Sequence, residues 1–193
     1  MGKGLLIIFS GPSGVGKGTV REHFMQDASL NLVYSISMTT RVKRDVEKEG
    51  IDYFFVDMET FKNAIANNEL LEYANFVGNY YGSPKANIEK LQNEGKNVIL
   101  EIEVEGAKQV LEKCPDALSI FLVPPSLEEL ENRIRGRKSE SEEMIARRMK
   151  KAEKELEEVK DYKYIVCNQN PIEAAEIIRS IIKRHAIQAK TAN

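Results

Sequence analysis

The sequence predicts an α/β protein: a three-layer unit with a parallel sheet between helices, a small inserted α+β lobe, and a helical lid. Three observations predict it. Residues 5–9, 98–104, 118–123 and 164–167 are short runs rich in apolar side chains, the pattern of strands covered on both faces. Helical periodicities lie between them, and such alternation requires parallel pairing through right-handed crossovers. Residues 33 to 83 depart from this rhythm, with short alternating runs and polar turns, as expected of an insertion.

Taken in order, the strand over 5–9 is bounded by glycines and runs into a glycine-rich turn, then a helix containing Val20, Phe24 and Met25. Tyr34, Ile36 and Met38 alternate with Ser35 and Ser37, predicting one strand with a wet face. A charged turn over 43–50 precedes an aromatic strand at 53–56. Asp57 then caps a helix with Met58, Phe61 and Ile65 on one face, and a further strand pattern surrounds residues 70–77. Between 126 and 160 the chain is highly charged. Glu129 with Arg133, Glu131 with Arg135, and Glu143 with Arg147 have the i,i+4 order that supports a solvated helix, and a break near 136–141 makes this a hairpin. Asn170 and Pro171 open the last helix, with Ile172, Ala175, Ile178 and Ile182 on one face. The expected organisation is one unit over 1–193, with a core of 1–32, 95–125 and 156–193, a lobe over 33–94, and a lid over 126–155.

Composition excludes several classes. A chain of 193 residues with 42% apolar and 30% charged residues suits a single globular unit. Its net charge of −2 offers no general attraction for nucleic acid or an anionic membrane. No apolar run reaches bilayer length. The N-terminal apolar run is expected to be a strand rather than a signal peptide, and Leu6 stands where a myristoylation motif wants Ser or Thr. Cys114 and Cys167 lie far apart without metal-like spacing and are expected to be buried thiols in a reducing cytoplasm. His23 and His185 are expected on helix surfaces. Monomer and homodimer both stay open.

The turn after the first strand reads Gly11-Pro12-Ser13-Gly14-Val15-Gly16-Lys17-Gly18-Thr19. Such a loop turns successive backbone N–H groups toward one anion, and the following helix adds its dipole. Lys17 supplies a mobile cation for the β and γ phosphates, so the loop predicts a P-loop site for ATP or GTP, with Mg²⁺, and does not by itself identify the reaction. Gly18 stands where Ser or Thr usually meets the metal; Thr19 is the neighbouring candidate, and phosphates with water are the alternative holders. Glu101 and Glu103 end the run at 98–104 on one predicted face, where parallel sheets bind ligands.

A second constellation carries the acceptor. Thr40, Arg41, Arg44, Glu47, Gly50, Tyr53 and Phe55 stand in order, followed by Leu71-Glu72-Tyr73 and Gly78-Asn79-Tyr80-Tyr81-Gly82-Ser83. Here the sequence resembles the guanylate kinase family, and with the loop the resemblance covers essentially the whole chain. The residues suit that chemistry on their own terms. Arg41, Arg44, Tyr53 and Tyr81 form a set able to neutralise and aim a dianionic phosphate. Guanine presents N1–H and N2–H₂ donors on one edge, for which Glu72 is the natural acceptor, with Ser37 and Ser83 completing contacts to the base. Adenine lacks that donor pair and would leave Glu72 unpaired. Each residue also has a plainer reading: Ser83 before Pro84 as a helix cap, Tyr53 as a core aromatic, the arginines as surface charges beside Asp45 and Glu47.

The resemblance implies more. It makes Arg133, Arg137 and Arg148 lid cations that act with Lys17 and Arg44 on the migrating phosphoryl group, and Asn168 an adenine contact. Glu103 becomes a contact to guanine or to water around the metal. Lys138-Ser139 and Gln169 depart from the family pattern. The implied activity is transfer of the γ-phosphoryl group of ATP to GMP, and to dGMP, in the cytoplasm without nucleic-acid or membrane partners. A related nucleoside monophosphate kinase and a catalytically weak guanylate-kinase-like binding domain are the alternatives.

Overall fold

The computed structural model describes residues 2–76, 78–136 and 141–191. In chain order the elements are β1 (Leu6–Ser10), α1 (Lys17–Met25), β2 (Leu32–Tyr34), β3 (Met38–Thr39), β4 (Phe54–Phe55), α2 (Met58–Ala66), β5 (Leu70–Phe76) and β6 (Asn79–Pro84). They continue with α3 (Lys85–Asn93), β7 (Asn97–Glu101), α4 (Val104–Lys113), β8 (Leu118–Val123), α5 (Leu127–Arg135), α6 (Glu142–Glu157), β9 (Tyr164–Cys167) and α7 (Pro171–Thr191).

The main sheet has the order β2-β7-β1-β8-β9, every pair parallel. All five residues of β1, its central strand, are buried. Because successive side chains point to opposite faces, Ile7 and Phe9 pack with Val20 and Phe24 of α1 and with Ala175, Ile178 and Ile182 of α7. Leu6 and Ile8 face the other way, against Ile88 of α3 and Val104, Ala107 and Val110 of α4. This double burial is why the strand reads as an unbroken apolar run, and it produces the three layers.

The lobe is a second sheet, ordered β4-β3-β6-β5, closed by α2 through a small cluster of Phe61, Ala64 and Leu70. The strand expected across residues 34–38 is in fact two strands in different sheets. Ser35 N–H still donates to Ile99 O of the main sheet, whereas Ser37 O already accepts from Phe54 N–H of the lobe. The alternation of Tyr34, Ile36 and Met38 therefore marks a crossing, not one half-wet strand. β2 consequently belongs to the main sheet.

Caps and ion pairs expected from the sequence form. Asp57 accepts from Thr60 N–H and Asn170 from Ile172 N–H, while Ser126 and Ser141, which the sequence did not single out as caps, cap the two hairpin helices. The pairs Glu129–Arg133, Glu131–Arg135 and Glu143–Arg147 are all present. Met58 and Ile172, expected on apolar faces, are exposed instead, since each lies in a first turn that starts beyond the core edge. Cys167 is exposed and Cys114 half-buried, against the expectation of two buried thiols; β9 is an edge strand, and its Ile165 and Cys167 share the outward face. His185 is more than a surface residue, since its ring bonds the Tyr164 hydroxyl at 2.8 Å. No described helix is long and apolar enough to cross a membrane.

Candidate active site

The phosphate loop runs from the buried end of β1 to Lys17, the first residue of α1. Gly16 caps that helix in the left-handed region, with φ 94°, a conformation that glycine adopts without a side-chain clash. A Cβ there would stand 2.7 Å from Nδ2 of Asn168. That amide donates to Val15 O at 2.7 Å, so Asn168 braces the back of the loop. Asn168 is buried, and its Oδ1 has no partner among the described residues.

Lys17 Nζ donates to the carbonyls of Gly11 and Pro12, at 2.5 and 3.3 Å. Burial lowers its pKa, while the nearby carboxylates of Glu101, Glu155 and Glu103 hold it up. The hairpin reaches the same loop from the other side. Arg148 Nη2 donates to Ser13 Oγ at 2.8 Å, and Arg133 donates to Val15 O and to Asn168 O. Lys17, Arg133 and Arg148, from three helices, therefore all reach the phosphate loop. Arg44 does not join them: it is exposed on the lobe, its main-chain N–H donating to Glu47. Arg137 lies outside the described residues.

The carboxylates depart from the sequence reading. β7 stops at Glu101, and Glu103 is already the N-cap residue of α4, so the two do not share a strand face. The strand ends because Val104 turns into the helix that covers the sheet. Both still line one cavity of about 430 Å³, together with Ser37, Tyr53, Glu72 and Tyr81. Glu101 pairs with Arg21 at 2.7 Å, and Glu103 with Lys151 of the hairpin at 2.9 Å. Neither cation stood out in the sequence. Arg21 was findable, because it lies one helical turn beyond Lys17 and so on the same face.

Glu72 is the buried acid of this cavity. Ser83 Oγ donates to its Oε1 at 2.6 Å, and α3 begins one residue after Pro84 without a side-chain cap, so Ser83 serves Glu72 and not the helix. Burial pushes the Glu72 carboxyl above the usual carboxylate range; the Ser83 hydrogen bond and Lys113 oppose that shift. Arg41 grips Glu47 with two bonds, of 2.6 and 3.0 Å, and its guanidinium lies over Tyr53, 5.4 Å from the ring centre. This pairing holds the Glu47 carboxyl down to about 2. Tyr53 in turn meets Tyr81 edge to face, at 5.9 Å. Tyr53 thus links the arginine to the cavity wall and is not a core aromatic. Among the described residues no cluster of three His, Cys, Asp or Glu is placed to hold a metal ion.

These features make the chain a P-loop α/β protein with a cavity at the carboxyl end of β7, the neighbour of the strand that feeds the loop. A family model described as guanylate kinase matches residues 3–185. A protein of Mesoplasma florum named guanylate kinase is 54% identical over 182 residues, 94% of this chain and 61% of its own length. One of Lactobacillus johnsonii with the same name is 48% identical, with 96% of this chain and 91% of its own length covered. The crystal structure of guanylate kinase from Anaplasma phagocytophilum superposes with a TM-score of 0.73 at 34% identity, covering 96% of this chain and 87% of the other. The chain belongs to the guanylate kinase family. It spans less than two thirds of the Mesoplasma florum relative.

Proposed function

We propose that this chain transfers the γ-phosphoryl group of ATP to the phosphate of GMP, and of dGMP, giving ADP and the nucleoside diphosphate. The observation that carries the reading is the position of Glu103: it lines the cavity with Glu72 and pairs with Lys151 of α6, the helix whose Arg148 holds Ser13 of the phosphate loop. The two sites therefore share one floor, which suits a direct transfer between two bound nucleotides.

In this reading the loop amides and Lys17 hold the donor phosphates, with Asn168 behind them. Arg133 and Arg148, with Arg137 from the same hairpin, bear on the charge that spreads over the migrating group. Arg41, Arg44, Tyr53 and Tyr81 aim the acceptor phosphate; Arg41 is preset by Glu47, whereas Arg44 must swing in from solvent. Ser37, Ser83 and Glu72 read guanine. No general base is needed, since the acceptor oxygen is already ionised.

The residues present fit a Mg²⁺ held chiefly by the phosphates of ATP. Glu101 and Glu103 are engaged with cations, and Thr19 offers an exposed hydroxyl at the start of α1. Thr19 and Glu101, through water, would be its protein contacts, and the ion would neutralise phosphate charge. A Cβ on Gly18 would meet nothing within 4 Å among the described residues. Gly18→Ser is therefore expected to fold with an unchanged or higher melting temperature. It should also lower the Mg²⁺ concentration needed for half-maximal rate by about twofold or more; a Mg²⁺ titration at fixed ATP measures this.

The test of the activity is a coupled assay with ATP and each of GMP, dGMP, AMP, UMP and dTMP. Turnover confined to the two guanine nucleotides is expected. Equal turnover of AMP would overturn the guanine assignment, and no turnover of any would overturn the enzyme.

A further inference from the structure

Gly106 sits in the first turn of α4 with helical backbone, where alanine would favour the helix. What it lacks is a side chain. A Cβ at this position would stand 2.8 Å from Oε2 of Glu72, 3.4 Å from Cδ and 3.5 Å from Cγ. The first distance is well inside ordinary contact, roughly 3.5 Å or more.

The strand bearing Glu72 has little freedom to retreat. Gln109 clasps Tyr73 from α4, accepting from its N–H at 3.1 Å and donating to its carbonyl at 3.0 Å. Lys113 Nζ donates to the carbonyls of Leu70 and Leu71, both at 2.9 Å. Gly106, Gln109 and Lys113 thus form a stripe at i, i+3 and i+7, one face of α4. Two members pin the β5 main chain on either side of Glu72, and the third leaves room for its carboxylate. On the opposite side that carboxylate is held by Ser83 Oγ, so an added methyl displaces the charged end and not the strand.

We propose that Gly106 is a specificity-positioning residue: its missing side chain lets Glu72 present its carboxylate squarely to the guanine edge. The assignment rests on Glu72 as the reader of the base. Gly106 also lines the cavity itself, so the methyl would intrude on the ligand's own space as well as on the acid.

The test compares kcat/KM for GMP, the KM for ATP and the melting temperature in Gly106→Ala, Glu72→Asp and the double variant, with Glu72→Gln as control. Gly106→Ala is expected to lower kcat/KM for GMP about tenfold, the effect of one impaired ionic hydrogen-bond pair. The KM for ATP should stay within about twofold and the melting temperature should not fall. Aspartate withdraws the carboxylate by one methylene, so in the Glu72→Asp background Gly106→Ala should cost less than about threefold.

An equal loss in both backgrounds would overturn the proposal, as would a silent Gly106→Ala, a fallen melting temperature, or a matching loss for ATP. If Glu72→Gln instead leaves kcat/KM for GMP unchanged, the base-reading role of Glu72 fails first, and the proposal with it. A large loss in Glu72→Gln beside a silent Gly106→Ala would sink the Gly106 role alone.

Discussion

Lys17→Ala is expected to lower kcat about a thousandfold, close to 4 kcal/mol of barrier, without unfolding the chain. The ammonium sits at the start of α1, held by two loop carbonyls, and it is the cation that Glu101, Glu103 and Glu155 all face. Removing it does more than delete one contact to the phosphates. It also removes a positive charge from a place where, among the described residues, three carboxylates share only Arg21 and Lys151 as other ion-pair partners, so the KM for ATP should also rise, by about tenfold. The core does not depend on this side chain, because α1 is anchored by Val20 and Phe24. Lys17→Arg keeps the charge but not the compact, mobile head, and should recover only part of the rate. Steady-state kinetics beside circular dichroism measures both halves, and full activity in Lys17→Ala would refute the role of the loop.

Glu72→Gln has the next largest expected effect, a loss of about a hundredfold in kcat/KM for GMP with the KM for ATP nearly unchanged. The amide keeps one acceptor for guanine but sets its N–H₂ against a guanine donor. A similar loss for both nucleotides would count against the base-reading role. The pH dependence adds a second readout. Burial raises the Glu72 carboxyl above its ordinary value, so GMP binding should weaken as pH falls through that raised value. GMP's own phosphate titrates in the acid range too, near ~6. The informative quantity is therefore the acid limb that the parent has and Glu72→Gln lacks.

Stability runs the other way. A carboxyl that holds its proton more tightly in the folded state has its full stabilising effect below the unfolded pKa. That contribution is lost as pH rises through the raised folded value. At neutral pH Glu72 is thus a burden on folding, and Glu72→Gln should melt no lower than the parent. A clear drop in melting temperature would mean that the Ser83–Glu72 bond stabilises the fold more than burial of the charge destabilises it.

Much of this architecture was legible in the chain. Double burial left an unbroken apolar run at β1 and one broken only by Ser119 at β8, local spacing predicted the hairpin ion pairs, and Asp57 and Asn170 stood where helix caps belong. The phosphate loop is likewise a local feature, since consecutive residues create its geometry. Reading failed where two distant segments decide the outcome. Nothing near Tyr34 says that the next few residues change sheets. The end of β7 at Glu101 is set by a helix packing from above, and the exposure of Cys167 by its place on the outward face of the edge strand β9. In the site, Ser83 also suited a helix cap, a role its hydroxyl does not take because it is bonded to Glu72.

By itself, then, the sequence determined most of the elements, the phosphate loop and the kind of chemistry the second constellation suits, because those depend on residues within a few positions of one another. Only the tertiary structure decided which charges meet. Arg21 with Glu101, Lys151 with Glu103, Arg148 with Ser13, and the space at Gly106 beside Glu72 all join residues more than thirty positions apart. The packing of helices on sheets brings them together, and no local pattern records it.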